Sequence, residues 1–418
     1  MQRDLPQRPN RRRFSPGSSA KFFYLAETIA RVYEPTPTQL AEVDRSYQST
    51  GEYLASCPEF DGLLYRVHAH GSRQLGTMVR PVEEFREGFD IDLAACLERA
   101  GLQRYGGTHG PALLIEHLYV ALKRYADRHG LKIRRDDRCV TMTYAGGMTA
   151  DFAPIIDDLS HVVLHGETHG RIPDRDLRRY VSTNPRGYSK AFDNIASIAP
   201  VFERLEEMHM TFDSLRKSEL VPLPAANEVF GRLLSRLVQL VKINRNLTFG
   251  APSGGVDLAP PSSFLTTLVA NAYAIEAVKQ HDGPMDLFLD IVQLMPKLFQ
   301  RLQMPDGSEF WFLENPTAQN DNFAACMNTP ARQRAFDAWQ ERLARDLAAL
   351  VDAIDQSAGM DVIARAAERA FGERAKSAVL LDNAQRREVK RAAGQGVFLV
   401  GGAAAISTPS RAHTNFGD

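Results

Sequence analysis

Two aspartates stand one residue apart in the otherwise apolar run FDIDL. If this run is a β-strand, Asp90 and Asp92 lie on one face of it, because side chains alternate between faces along a strand. Neighbouring carboxylates repel each other and raise each other's pKa unless a cation lies between them. Mg²⁺ prefers carboxylate and phosphate oxygens as ligands. The pair therefore predicts a divalent-metal site that handles a phosphate-bearing substrate, and the alternative is an exposed Asp-x-Asp on an edge strand.

A third aspartate lies in the strand-like run MTADFAPII, where Asp151 faces away from the apolar Ala150 and Phe152. Three carboxylates can hold two metal ions, one beside an attacking hydroxyl and one beside a departing pyrophosphate. We expect Asp151 to bind the ion beside the hydroxyl and to help remove its proton. The three aspartates together predict two-metal phosphoryl transfer.

A small-residue turn precedes the aspartates in the run HGSRQLGT. Gly71 and Ser72 follow a predicted strand and come before a predicted helix start, where backbone N–H groups can surround a triphosphate. The Ser72 hydroxyl can also donate a hydrogen bond to a phosphate oxygen. A simple turn is the alternative explanation for Gly71-Ser72, and the ordered combination with the aspartates favours phosphate binding.

The order Gly-Ser, then Asp-x-Asp on a strand, then a single Asp on a later strand resembles the polymerase-β nucleotidyltransferases. The runs RRYVSTNPRGYSKAF and PPSSFLTTLVANAY, with Arg80-Pro81 before FDIDL, are similar to those of bacterial CD-NTases, the cGAS/DncV-like enzymes of CBASS antiphage defence. The resemblance extends from about residue 21 to about residue 371. The chain departs from the wider superfamily in its longer Ser72-to-Asp90 gap, which contains the charged stretch PVEEFREG.

This resemblance implies an activity. It implies a synthase that joins ATP, GTP or pyrimidine nucleoside triphosphates into a cyclic di- or trinucleotide with release of pyrophosphate. It also implies two Mg²⁺ ions, for which Mn²⁺ can substitute, and a separate effector that the product activates. Such enzymes need no obligatory nucleic acid and no membrane.

The resemblance also implies nucleotide-binding residues in the second half of the chain. Lys242 would contact triphosphate, and Ser262 or Ser263 would lie beside the donor nucleotide at a helix start. Apart from the resemblance, Arg186 and Tyr188 in the run NPRGY lie at the predicted lobe junction in the first half of the chain, where a guanidinium can meet a phosphate and a ring can stack on a base. The alternatives are a solvated charge for the lysine and a helix N-cap for the serines.

The elements that must position these residues have two different patterns along the chain. Up to about residue 200, helical spacing from Lys21 and from Leu40 to Leu54 is followed by strand-like runs and by a helix over 110–129. Beyond residue 200 the pattern is helical, with helices predicted over 229–242, 263–279, 284–302 and 332–354. We predict an α+β fold, in which a polymerase-β-like mixed-sheet lobe with helices and a C-terminal helical lobe enclose an active-site cleft.

Four regions follow from these patterns. Residues 1–20 are predicted to be a disordered basic lead-in, 21–195 the catalytic lobe, 196–390 the helical lobe and 391–418 a flexible Gly/Ala/Ser-rich tail. The junction is predicted at 180–190, where Asn-Pro and Gly should break regular structure.

Composition limits the function classes. The 418-residue chain has a net charge of -1, which argues against a protein whose main function is to bind long nucleic acids. Four widely spaced cysteines indicate neither a disulfide framework nor a zinc knuckle, which fits a reducing cytoplasm. No apolar stretch is long enough for a membrane span or fits a secretory signal.

Other conspicuous residues have structural interpretations. His161, His165 and His169 recur every four residues, but the segment has strand and loop character and we expect solvated histidines there. His68 and His70 are interpreted as packing residues, and the two tryptophans, Trp311 and Trp339, as core residues.

The polar ending SRAHTNFGD is similar to the C-termini that a ubiquitin-transfer-like ligase in some CBASS operons joins to other proteins. Two further functions stay open. One is an RNA- or tRNA-directed nucleotidyltransferase, disfavoured by the near-neutral charge. The other is a catalytically silent nucleotide or RNA sensor, disfavoured by the intact aspartate trio.

Overall fold

The computed structural model describes residues 13–81, 89–144, 147–161, 166, 168–176, 178–217, 228–229, 231–250, 257–392, 397–398 and 406–407. Within these residues a seven-stranded mixed sheet with helices is followed by a larger helical region. The predicted α+β class is confirmed. None of the described helices is both long enough and apolar enough to cross a membrane.

The described helices are, in chain order, α1 Pro16–Arg31, α2 Pro37–Ala55, α3 Gly71–Gln74, α4 Gly101–Tyr105, α5 Gly110–His129, α6 Pro185–Ala196, α7 Leu205–Arg216, α8 Leu233–Phe249, α9 Ser262–Glu276, α10 Pro284–Leu294, α11 Pro330–Asp355, α12 Met360–Phe371 and α13 Glu373–Ala392. The strands are β1 Leu64–His70, β2 Asp90–Leu97, β3 Lys132–Arg135, β4 Val140–Thr143, β5 Thr149–Asp157, β6 Gly170–Asp174, β7 Arg179–Thr183, β8 Val201–Phe202, β9 Gln280–His281, β10 Gln300–Gln303, β11 Glu309–Phe312, β12 Val397–Phe398 and β13 Ile406–Ser407.

The seven-stranded sheet has the order β1-β2-β5-β4-β3, and β6 and β7 extend it from the end of β5. Its central pair, β2 and β5, is parallel, whereas the other pairs are antiparallel. One face packs against α2 and α5, with Ile91 and Phe152 in the same buried cluster as Leu118 and Leu122. The aspartates alternate with these apolar residues, so they lie on the opposite face of the sheet.

Helix α5 has the predicted ends, Gly110 and His129. Pro111 lies in its first turn, where the missing N–H costs nothing, and buried leucines recur at helical spacing. Gly130 ends it with a φ of 65°, the left-handed conformation that stops a helix and that glycine adopts without strain.

The predicted lead-in over residues 1–20 is wrong at its C-terminal end, because α1 begins at Pro16. The Ser15 hydroxyl accepts a hydrogen bond from the Ser18 N–H, and Pro16 occupies the first helical position. The side chain of Phe14 is buried in the helical core. The Ser-Pro pair that suggested a break in structure is therefore a helix start.

The helix predicted over 284–302 is also wrong in its second half. Helix α10 ends at Leu294 and gives way to a 3-10 turn that contains Pro296. Strand β10 follows and pairs with β11, which places the Arg301 guanidinium over the Trp311 ring at 4.5 Å from its centroid. The proline ends the helix, since its ring cannot continue the hydrogen-bond ladder.

The predicted break at the junction 180–190 is confined to one residue. Strand β7 ends at Thr183, and the Asn184 side chain caps α6 by accepting a hydrogen bond from the Gly187 N–H. Because Pro185 follows at the first helical position, the run Asn-Pro-x-Gly starts a helix here.

Both tryptophans are buried, as predicted. The Trp339 indole donates to the Asn244 side-chain oxygen at 2.9 Å, which ties α11 to α8. His169 is not solvated, contrary to expectation: it is buried, with Nδ1 3.1 Å from the Asp158 carbonyl and Nε2 2.6 Å from the Ser182 hydroxyl.

Several expectations concern residues outside the described part of the chain. These are residues 1–12, most of the charged stretch after Pro81 (82–88), His165 and most of the tail. In the tail the structure describes β12 and β13, which pair antiparallel. The domain boundaries at 195 and 390 stay predictions.

Candidate active site

Three carboxylates meet at the end of the central strand pair. In the parallel register of β2 and β5, Asp92 lies beside Asp151. Asp90 lies beside Thr149, whose hydroxyl donates a hydrogen bond to the Asp90 carboxylate. The predicted convergence of the three aspartates is therefore present, since alternation along each strand and the register between the strands put them on one face.

Burial makes a negative charge costly at Asp92 and at Asp151. Burial raises the pKa of Asp92, and the neighbouring Asp90 raises it further, while Lys242 opposes both effects. Burial likewise raises the pKa of Asp151, although the Thr141 hydroxyl donates to Oδ1 at 2.6 Å and lowers it. Carboxylates held this close favour a cation between them. The donor set, all oxygen, fits Mg²⁺ or Mn²⁺.

Both the backbone conformation at residue 71 and the space around it require glycine there. Its φ is +56°, in the left-handed region, and a Cβ built there would lie 2.2 Å from Asp92 Oδ2. A side chain at this position would displace the carboxylate or the turn. Ser72 follows in the short helix α3 and lines the same cavity as the aspartates.

Two cationic side chains from α8 approach the carboxylates. The buried Lys242 donates from Nζ to the Thr77 carbonyl oxygen at 2.9 Å, and burial lowers its pKa to about 7. Arg245 donates to the Ser262 hydroxyl oxygen at 2.8 Å, and burial lowers its pKa to about 10. The alternative reading of Lys242 as a solvated surface charge is wrong, because its side chain is in the interior.

The aspartates, Gly71, Ser72 and Lys242 line one cavity of about 460 Å³. Ser262 and Ser263 also line it from the first turn of α9, whose N-cap is Pro261. The serines are therefore not the N-cap of this helix.

Tyr188 completes one wall of this cavity. Its hydroxyl lies 2.8 Å from the Thr267 hydroxyl, and its ring meets the Phe323 ring edge-on, with the centroids 5.5 Å apart. The two rings offer an aromatic surface beside the aspartates.

Known proteins are similar to this chain in sequence and in fold. Residues 24–195 match the model of the Second Messenger Oligonucleotide or Dinucleotide Synthetase domain. The cyclic dinucleotide synthase CdnG of Bradyrhizobium diazoefficiens is 27% identical over 266 residues, which cover 59% of this chain and 58% of that protein. The match thus spans less than two thirds of this relative.

The fold is shared over a greater length. The structure of the Bradyrhizobium diazoefficiens CD-NTase CdnG in complex with GTP superposes with a TM-score of 0.62 at 20% identity, covering 86% of this chain and 97% of that one. The chain is therefore similar to CD-NTases in sequence over residues 24–195 and in fold over most of its length. The structure of the Vibrio cholerae cyclic AMP-GMP synthase DncV with nonhydrolyzable GTP has a TM-score of 0.50 at 16% identity, covering 87% of this chain and 88% of that one.

Arg186 does not join the carboxylate cavity. It is exposed at the start of α6 and lines a neighbouring cavity of about 1180 Å³. His70 and Pro185 line both cavities, and burial lowers the pKa of His70 to about 4. His70 thus forms a neutral wall between the two cavities as well as a packing contact.

Sequence reasoning missed several residues of the candidate site. Arg245 lies one helical turn after Lys242 in the same run, so helical spacing could have identified it. Asn315, Asp321 and Phe323 reach the cavity from the loop after β11, where the Asn315 amide donates to Asp321 at 2.8 Å. No periodicity marks these loop residues.

Proposed function

We propose that the protein joins nucleoside triphosphates into a cyclic di- or trinucleotide by nucleotidyl transfer, with release of pyrophosphate. The observation that carries this proposal is one cavity lined by Asp90, Asp92 and Asp151 together with Gly71-Ser72 and Lys242. Carboxylates for metal ions and a cation with a small-residue turn for phosphate are the parts that this reaction needs.

CD-NTases use divalent metal ions, and Asp90, Asp92 and Asp151 are the residues that would hold two Mg²⁺ here. When bound, the ions would increase the nucleophilicity of the attacking hydroxyl and neutralise charge on the departing pyrophosphate. The raised pKa values of Asp92 and Asp151 support this assignment.

The chain's own groups orient the substrate. Lys242 is held by the Thr77 carbonyl, and its pKa of about 7 leaves it ready to take up a proton as a triphosphate enters. Asp151, oriented by Thr141, is the candidate to receive the proton of the attacking hydroxyl.

The nucleoside would lie towards the helical region. Ser262 and Ser263 at the first turn of α9 can hydrogen-bond sugar or phosphate oxygens, and Arg245 fixes the Ser262 hydroxyl. The Tyr188 and Phe323 rings offer a surface for the base. ATP, GTP and pyrimidine nucleoside triphosphates are the substrate candidates. GTP is bound in the CdnG structure and nonhydrolyzable GTP in the DncV structure.

The proposed biological role is CBASS antiphage signalling, in which the product activates a separate effector. The match of residues 24–195 to the Second Messenger Oligonucleotide or Dinucleotide Synthetase domain supports this role. The C-terminal tail is the proposed site at which a ubiquitin-transfer-like ligase joins this chain to other proteins. The tail begins after helix α13, which ends at Ala392. Conjugation in the presence of such a ligase, abolished by removing residues 393–418, would support it; an unchanged pattern of conjugates would reject it.

The test incubates the purified protein with all four labelled nucleoside triphosphates and Mg²⁺ or Mn²⁺, without RNA or DNA. The matched control is Asp90→Asn/Asp92→Asn, which keeps the shape of both side chains and removes their charge. We expect a phosphatase-resistant product, identified by mass spectrometry, that the control does not make.

Two other outcomes reject the proposal. Extension of added RNA without any free cyclic product would establish an RNA-directed nucleotidyltransferase. Nucleotide binding without turnover under all conditions would indicate a sensor.

A further inference from the structure

Three metal-ligating side chains converge at the end of α9 away from the active-site cavity. Glu276 is the last residue of α9, His281 lies in β9 and Asp290 lies on α10. One ligand atom from each lies within 4.8 Å of the others. His281 Nε2 is 3.2 Å from Asp290 Oδ2 and 3.8 Å from Glu276 Oε2. The cluster belongs to no part of the proposed reaction.

The backbone fixes which imidazole nitrogen faces the carboxylates. His281 Nδ1 lies 2.8 Å from the Lys279 carbonyl oxygen, which can only accept, so Nδ1 carries a proton and donates it. In the neutral ring the Nε2 lone pair then points at two carboxylate oxygens. Three electron-rich atoms repel one another unless a cation lies among them. The cation can be a proton on Nε2 or a metal ion.

Burial strengthens the need for a cation. His281 is 2% exposed and Glu276 is 5% exposed, so water screens their charges poorly. Lys279 neutralises part of the charge by binding Glu276 Oε1 at 2.7 Å, but its side chain is 40% exposed. That contact occupies one oxygen of Glu276 and orients the other, Oε2, towards His281.

We propose that Glu276, His281 and Asp290 bind a structural divalent transition-metal ion of the Zn²⁺ type. One imidazole nitrogen and two carboxylate oxygens are common zinc ligands, at about 2.0–2.2 Å from the ion. Tetrahedral ligands at that distance lie about 3.3 Å apart, close to the 3.2 Å between His281 and Asp290. The Lys279 carbonyl gives the imidazole the outer hydrogen bond typical of metal-bound histidine.

The ion would join three elements of the helical region, α9, β9 and α10. Strand β9 pairs with β8, where the Glu203 N–H donates to the His281 carbonyl at 3.0 Å. Helix α9 runs from Glu276 back to Ser262 at the active-site cavity, roughly 22 Å away at 1.5 Å per residue. The ion would therefore fix the helix that carries the substrate-facing serines.

The first experiment measures metal content in the full chain. The Asp90→Asn/Asp92→Asn variant is loaded with Zn²⁺, desalted and analysed by inductively coupled plasma mass spectrometry, so that ions at the active site do not contribute. We expect about one Zn²⁺ per chain, and its loss when His281→Gln or Asp290→Asn is added. His169→Gln is the matched control and should keep the ion, because both ring nitrogens of the buried His169 bond protein atoms.

The second experiment measures thermal unfolding of the wild-type chain. We expect a chelator to lower the melting temperature and Zn²⁺ to restore it, with no such response in Asp290→Asn. X-ray absorption should show nitrogen and oxygen ligands. Loading that survives His281→Gln and Asp290→Asn, sulfur in the coordination shell, or neither loading nor a thermal shift would overturn the proposal. None of these readouts depends on catalytic activity.

Discussion

At the scale of the residue, adding one methyl group at Gly71 is expected to have a large effect on activity. A methyl group in Gly71→Ala would meet the Asp92 carboxylate and also strain a backbone with φ of +56°. Because displacement of a reacting group by about 1 Å can cost about 100-fold in rate, we expect a loss of synthesis of at least that order. Steady-state kinetics of product formation would measure it.

Gly62→Ala is the matched control for this substitution. Gly62 has a similar φ of +66°, but a Cβ there would meet nothing within 4 Å. It should lower stability by roughly 1 kcal/mol and leave the rate unchanged. Equal losses of activity in the two variants would show that backbone strain, and not contact with Asp92, is responsible.

The residues of the candidate site differ in how well the sequence alone predicts their positions. Asp90, Asp92 and Asp151 could be predicted because strand alternation is a local pattern and metal chemistry restricts the residue types. Arg186 was placed beside the phosphate from its position in the chain, and the structure puts it in a neighbouring cavity. Asp321 comes from a loop, where tertiary packing alone decides position.

At the scale of elements, a buried ion pair connects α1 to α8. Arg236 Nε and Nη2 donate to the two Glu27 carboxylate oxygens at 2.6 and 2.8 Å, and both side chains are buried. Arg236→Met would leave Glu27 without its partner in the interior, so we expect a loss of about 3–5 kcal/mol in the free energy of unfolding. Urea titration would measure it.

The double variant Glu27→Leu/Arg236→Met separates charge from packing. It removes both charges at once, so we expect it to recover most of the lost free energy of unfolding. If the double variant is as unstable as Arg236→Met, the loss comes from packing or from the lost contacts of Arg236 with Glu34 and Gln239, and not from the unpaired Glu27 carboxylate.

The turn between β5 and β6 depends on an ionised carboxylate. Burial alone would raise the pKa of Asp158, but hydrogen bonds from Ser160 and Arg171 outweigh it and hold the pKa at about 2. A folded-state pKa below the unfolded value of 3.8 contributes stability above about pH 4 that is lost as pH falls towards 2.

We therefore expect the wild type to exceed Asp158→Asn by about 2 kcal/mol in the free energy of unfolding at pH 7. Denaturant titrations at a series of pH values between 7 and 3 should show the difference shrinking below pH 4. A difference that stays constant over this range would mean that the hydrogen bonds persist when the group is neutral.

Element boundaries were predictable where cap and core signals coincide. Helix α5 has proline at its start, glycine after its end and leucines between, and its ends were predicted correctly. The α1 start at Pro16 and the β10–β11 pair were missed. At Pro16 the turn-forming residues are also helix-capping residues. Strands β10 and β11 have only four residues each, and β10 is mostly polar, so the sequence pattern is too short to reveal the pair.

At the scale of the whole molecule, helix α13 packs into the hydrophobic core, although it lies far beyond residues 24–195, which match the synthetase domain. Tyr24 in α1 donates to Asp382 in α13 at 2.5 Å, and the Arg386 guanidinium lies 4.8 Å from the Tyr24 ring centroid. Val379 is fully buried in the same core. The cavity residues extend from His70 to Phe323, so α13 supports the helices around the site without lining it.

Two truncated chains test whether α13 contributes to stability and whether the tail after it is needed for synthesis. A chain that ends at Ala392 keeps α13, so we expect an unchanged melting temperature and unchanged synthesis. A chain that ends at Gly372 loses α13 and exposes Tyr24, so we expect a loss of about 3 kcal/mol or more in the free energy of unfolding. Calorimetry and product assays on both chains would measure these effects. If the chain ending at Ala392 folds normally but makes no product, the tail takes part in synthesis, and its proposed role as a site of attachment alone fails.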